Sequence, residues 1–269
     1  MNLRLPLILA VSAACGIASA SVVNIDFNTA GADTFTGLAA APDAAGASAV
    51  WNPLVNVSGT ASSVALNDSA GAVTGIGFEL TGITASINNA TTGEQELAGG
   101  FINLMRDYVR IASGSSNNVV TTSGKFTGLT TGASYEIYFY GQGENFGGGN
   151  ISGGSNTQGQ NSLFTVGANS AQTGWDGVNG GNGILAEGIE WVKLTGIADG
   201  SGEISFDWAN VVAGSNVVTD NAESTAASGT KASQYGVLNG IQLVEVVPEP
   251  STILMSALGM LGLVVRRRR

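Results

Sequence analysis

No part of the middle of this chain sustains a helical apolar period. Short runs of β-branched and aromatic residues recur instead, each closed by a cluster of Gly, Asn, Ser and Thr. That punctuation is the mark of strands joined by turns. Residues 22–27, 73–80, 124–129, 135–140, 162–166, 189–197, 203–208 and 237–246 read as strands. In the first, Val23, Ile25 and Phe27 fall on one face and Asn24 and Asp26 on the other. Only 94–111 is ambiguous, a short helix or an irregular strand. Gly supplies 40 of the 269 residues, about twice its usual share of ~7%. About nine to eleven strands in 227 residues suit one two-sheet sandwich. The expected fold is all-β, a single β-sandwich over 21–247.

A short pattern recurs at Phe35-Thr36-Gly37-Leu38, Leu80-Thr81-Gly82-Ile83, Phe126-Thr127-Gly128-Leu129 and Leu194-Thr195-Gly196-Ile197, at offsets of 45, 46 and 68 residues. Solenoids and propellers hold a fixed period. These sites read instead as strand ends where Gly permits a tight turn.

Composition removes several chemistries. There is no histidine, so no Ser/His/Asp or Cys/His triad, no His-ligated zinc and no His general base. The one cysteine, Cys15, lies in the leader, which leaves the remainder without a disulfide, a Cys-metal site or a thiol nucleophile. Within 21–247, five basic residues face nineteen acidic ones, a net charge of −14. Such a surface repels nucleic acid and anionic lipid; no nucleic-acid partner is expected. A near G-x-G-x-x-G run at 141–147 has its last Gly one place late, carries Glu144, and precedes no helical pattern, so it does not read as a phosphate loop.

Both ends read as addresses. Residues 1–20 have Arg4, an apolar stretch from Leu5 to Ala14, and Ala18-Ser19-Ala20, which fits the small-x-small cleavage rule. Cleavage after Ala20 would leave Ser21 first, with the Sec translocon and signal peptidase as partners. The alternatives are a first buried element, or a lipoprotein signal at Cys15. At the other end, Pro248-Glu249-Pro250 leads into 252–265, which is free of charge, and then Arg266, Arg267, Arg268 and Arg269. As a helix, 252–265 would span about 21 Å against a bilayer core of about 30 Å. The arginines would hold it on the cytoplasmic side.

This ordered set, the Pro-Glu-Pro triplet, a short apolar helix and a terminal arginine cluster, resembles the PEP-CTERM sorting signal of Gram-negative bacteria. The resemblance covers 248–269. It implies an exosortase partner, a transmembrane sorting helix in the precursor, cleavage near the triplet, and release or attachment at the surface where exopolysaccharide and biofilm are made. The alternative is a plain membrane anchor that is never cut. The segment 124–141, with 103–108 and 238–243, is similar to the jelly-roll ectodomains found among such proteins, and through them to galactose-binding-like carbohydrate modules. That similarity implies a jelly-roll-like sandwich and says little of activity.

Three site chemistries remain. Aromatic rings stack on sugars and amides or acids bind their hydroxyls; Trp51 and Trp175, in turn-rich surroundings, are the candidate platforms, with Asp176 beside the second. Trp191 and Trp208 lie in strands and read as core. Loop carboxylates could hold a structural Ca²⁺, for which Asp176, Asp199 and Asp220 are the candidates, although Asp-Gly and Asn-Gly steps are also ordinary turn residues. No cofactor is required by this reading. Paired carboxylates could run a glycosidase; Asp176, Glu187, Glu190 and Asp207 lie near tryptophans, yet Glu190 and Trp191 point to opposite faces of one strand. The sequence reading is therefore a non-enzymatic surface protein with a structural or adhesive role in the exopolysaccharide layer, able to bind glycan. The alternatives are a carbohydrate-active enzyme, a glycosidase or lyase of the cell surface, or a passive coat.

Overall fold

A computed structural model describes residues 21–42, 49–88, 100–114, 118–143, 149–151, 154–156, 160–174, 183–212, 214–218 and 234–247. The expected signal peptide, the sorting helix 252–265, the triplet and the four arginines lie outside these residues.

Among the described residues the chain is built of strands, with one short helix, α1 (Ile102–Met105). A five-stranded sheet contains β1 (Val22–Asn28), β2 (Asn52–Val55), β8 (Ser134–Tyr140), β13 (Trp191–Ile197) and β16 (Gly240–Glu245), in the order β13-β8-β16-β1-β2. β1 runs antiparallel to β16 and parallel to β2. A six-stranded sheet contains β3 (Gly59–Ser63), β4 (Gly77–Ile83), β7 (Thr121–Thr127), β11 (Ser162–Val166), β12 (Asn169–Gln172) and β14 (Ile204–Asn210), ordered β12-β11-β14-β7-β4-β3. A third sheet joins β5 (Ala85–Asn88), β6 (Asp107–Ala112) and β15 (Tyr235–Leu238), and a small ribbon pairs β9 (Gly149–Ile151) with β10 (Gly154–Asn156).

The two large sheets face each other across one apolar core. Val23, Ile25, Phe27, Ile137, Phe139, Ile241 and Leu243 come from the first sheet; Phe78, Leu80, Phe126, Phe164, Phe206 and Trp208 come from the second. Phe139 stacks on Phe164 at 4.5 Å and tilts against Phe206 at 5.0 Å, which interlocks the layers. The third sheet adds Val109, Ile111 and Leu238 to this core. It closes the end where β11 begins and β14 ends: Ser162 Oγ donates to the carbonyl of Val237 and accepts from its N–H, at 2.6 and 2.7 Å.

Several sequence expectations change here. The run 237–246 is two strands, because at Asn239 the chain passes from the third sheet to the first, and the Asn239 amide donates to the carbonyls of Met105 and Asp107. The start of 73–80 is a loop, and β4 begins only at Gly77. The ambiguous 94–111 resolves, over its described part, into α1 and β6. The Thr-Gly motif at 196 is no turn: Gly196 lies inside β13, and a Cβ there would come within 2.9 Å of Ile204. At Gly128 the turn reading holds. Its φ is +71°, and a Cβ would collide with the carbonyl of Gly75.

The largest change concerns β1. All seven residues are buried. Its Asn24/Asp26 face is covered by the chain leading from β1 to β2, through a second apolar cluster of Phe35, Trp51, Leu104, Met105, Tyr138 and Tyr140. Polar atoms on that face capture the covering backbone. Asp26 Oδ2 accepts from Phe35 N–H at 2.8 Å, Gln242 Oε1 from Ala41 N–H at 2.9 Å, and Tyr140 Oη from Ala40 N–H at 2.7 Å. Gln242 and Tyr140 also bond each other, and Gln242 donates to Asn24 at 2.8 Å.

Candidate functional site

The sequence-predicted residues do not gather into one site. Trp51 is only 3% exposed. It sits edge-on to Phe35 at 5.2 Å, contacts Tyr140, and donates from Nε1 to the carbonyl of Gly37 at 3.1 Å. A ring with no free face cannot stack on a sugar, so Trp51 is a packing residue. Trp175, Asp176 and Asp220 lie outside the described residues, as do Ala18 and Ala20. Asp199 is an exposed turn residue whose Oδ1 accepts from the N–H groups of Ser201 and Glu203 at 2.8 and 3.0 Å. Among the described residues no three acidic or sulfur side chains gather as a metal site.

Of the acids weighed for catalysis, Asp176 lies outside the described residues, Glu187 is exposed in the turn before β13, and Glu190 and Asp207 diverge. Glu190 is buried and accepts from Ala186 N–H at 2.8 Å. Asp207 lies on the exposed face of β14, in the other large sheet.

Trp191 is in a strand as read, but only partly in the core, packed against the second apolar cluster. Trp191 stands at the start of β13, half-buried, beside Tyr138 at a centroid distance of 5.5 Å. Its neighbours are charged. Lys193 Nζ reaches Glu136 at 3.0 Å, and Tyr138 Oη donates to the same carboxylate at 2.8 Å. Burial pushes Glu136 up, but the bonds from Lys193 and Tyr138 outweigh it and hold the carboxyl below its ordinary value. Burial, reinforced by Glu136, pushes the Tyr138 phenol up. Tyr138 is buried and serves to fix the Glu136 carboxylate, and the Trp191 Nε1 is turned inward. The part-open rim of the indole beside a fixed acid and amine can contact the apolar face of a sugar and its hydroxyls together. The alternation Trp191, Lys193, Thr195 on one face was the available signal.

A buried carboxylate pair was also missed. Burial raises Asp26 from the ordinary 3.8 to about 8. The Phe35 N–H pulls it down, the charge of Asp107 adds to the rise, and the Asn28 amide opposes it, its Nδ2 lying 3.1 and 3.3 Å from the Asp26 oxygens. Asp107 is raised too, by burial, against the hydroxyl of Thr29 at 3.0 Å and the charge of Arg106. Its other oxygen, Oδ2, is buried without a hydrogen-bond partner.

The C-terminal junction is fixed by backbone pairing. β16 is a central strand, held by β1 on one side and β8 on the other. Glu245 N–H donates to the carbonyl of Ser21 at 3.1 Å, and Val246 N–H to Ser134 at 2.9 Å. The chain is therefore fixed to the fold as far as Val246, two residues before Pro248.

Comparison with known families places a defined function on the segment that follows. The PEP-CTERM protein-sorting motif matches residues 246–269. This is the signal recognised by exosortase, and it marks a protein that is exported, held at the membrane and then sorted to the cell surface, a route typical of Gram-negative bacteria. Comparison with curated protein sequences finds no match. Among the described residues no helix is long and apolar enough to cross a membrane; the expected helix at 252–265 lies outside them.

Proposed function

We propose that the sandwich is a non-enzymatic structural module of the exopolysaccharide layer, brought to the surface by its sorting motif and adhering there to glycan. The carrying observation is the direct passage from core strand β16 into the motif at residue 246. The machinery that reads the motif thus handles a rigid β domain. We read the two large sheets as a jelly-roll-like, galactose-binding-like core, with the third sheet as an addition to it. Glycan contact falls to Trp191 with Glu136 and Lys193, Tyr138 holding the Glu136 carboxylate from beneath, and to Trp175 and Asp176, which precede β13 in the chain. The divergence of Glu190 and Asp207 onto different sheets supports binding over hydrolysis, since a glycosidase needs two carboxyl groups about 5–9 Å apart. Asp176 and Asp220 remain the proposed ligands for a structural Ca²⁺.

The test is retention of the processed protein on the producing organism's own exopolysaccharide, with and without a chelator. Saturable retention that falls about tenfold in Trp191→Ala is expected, a loss of about 1.4 kcal/mol. Loss on chelation would add the Ca²⁺. No retention under either condition would remove the glycan mechanism.

A further inference from the structure

Strand register divides the sandwich into two unlike ends. At one, the third sheet covers the end of β14 and the start of β11. At the other lie the starts of β1, β4, β8 and β14 and the ends of β3, β7, β13 and β16. Among the described residues only turns cover this second end, and it is the one from which the sorting motif leaves.

That end carries exposed aliphatic side chains. Val64, which follows β3, is 93% exposed. Val73 is 76% exposed, in a hairpin that bonds to β1 through Ser69 N–H and the Val22 carbonyl. Ile197 at the end of β13 is 69% exposed and Val246 40%; the two flank Ser134. Ile197 also borders a depression of about 430 Å³ with Asn169, Thr195 and Ser205. Isolated exposed valines mean little. Four stand spread over the rim of one end of an acidic domain, around the exit of a recognition motif.

Reach identifies the occupant. Val246 is bonded to β8, so Pro248 lies within about 7 Å of it whatever the intervening geometry. An enzyme that holds the triplet in its active site must meet this end. A lipid surface fits it poorly. Interfacial contacts favour Trp, Tyr, Lys and Arg, whereas the described residues here show no exposed aromatic, include Asp68 and Asp199, and pair their Lys125 with Glu203 at 3.0 Å.

We propose that this end, with Val64, Val73, Ile197 and Val246 on its rim, is the surface on which the sorting enzyme docks while it holds the motif. The proposal rests on the reading of 246–269 as that enzyme's signal. The enzyme thereby reads a folded surface together with the linear triplet.

The experiment follows conversion of the full-length precursor in cells that hold the sorting enzyme. Ile197→Arg and Val64→Arg are compared with Val55→Arg, an exposed control at the far end of β2. Each is made with the native junction and with a Gly/Ser spacer of about eight residues between Val247 and Pro248, about 28 Å of reach. The rim variants should slow conversion about fivefold or more with the native junction. The control should match wild type, and with the spacer the rim substitutions should have no effect. Conversion of both rim variants at the wild-type rate would overturn the proposal. So would a slowing that the spacer does not relieve, which would assign the effect to folding or export. Binding of the processed protein to phosphatidylethanolamine/phosphatidylglycerol vesicles, lost in Ile197→Arg, would transfer the rim to lipid and overturn it too. A wild-type precursor that is never converted would remove the sorting reading itself.

Discussion

Asp26 carries the clearest consequence for a single residue. Its carboxyl is buried and holds its proton up to about pH 8, while the unfolded chain ionises near 3.8. Between these values the folded state binds the extra proton. Stability is therefore fully present below about pH 4 and falls as pH rises toward 8, by at most about 1.4 kcal/mol per unit. Asp26→Asn keeps an oxygen for the Phe35 N–H and has no charge to bury. Urea unfolding should show this variant more stable than wild type at pH 8, with the difference shrinking toward pH 5. An equal difference at both values would mean that Asp26 is ionised in the fold. Ser162 makes the opposite case. Its one hydroxyl serves Val237 N–H, the Val237 carbonyl and Trp208 Nε1–H, the last at 3.0 Å. Ser162→Ala strands all three, at a cost of about 3 kcal/mol. The exposed Ser205→Ala should stay within about 0.5 kcal/mol in the same denaturation series.

Among the elements, β7 and β14 meet so closely that one position admits no side chain. A Cβ on Gly124 would collide with the Phe206 ring and lie 2.9 Å from the Glu79 carbonyl. Phe206 cannot retreat, with Phe78 and Phe126 each 6.3 Å away and Phe139 at 5.0 Å. Gly124→Ala should cost about 2–3 kcal/mol, read as a lower midpoint in thermal unfolding. These elements were largely legible in the sequence. β11 stands where alternation put it, and β8, β13 and β14 differ by a residue or two at their ends. Strands without β-branched runs were not legible. β3 is Gly-Thr-Ala-Ser-Ser, and β12 is Asn-Ser-Ala-Gln, held in place by pairing rather than by propensity. Alternation at β1 showed the Asn24/Asp26 face but not its cover, the chain after β1 that folds back over it. The same covering buried Trp51, and the start of β13 left Trp191 half-open. Sequence periodicity shows which residues share a face, but not what lies over it.

For the whole molecule, the sorting motif was the strongest signal in the sequence because it depends on order and composition rather than on packing. Its meaning changes once β16 is seen as a central strand. The motif begins where the ladder ends, so folding and sorting converge on one end of the sandwich. The net negative charge of the body keeps a β domain from associating through its edges. The most direct test replaces Pro248, Glu249 and Pro250 together by alanine and compares the fate of this chain with wild type in the producing cells. The account predicts that wild type appears at the surface in a shortened form, while the triple variant stays membrane-bound at full length. Equal processing and equal surface exposure of the two would contradict it.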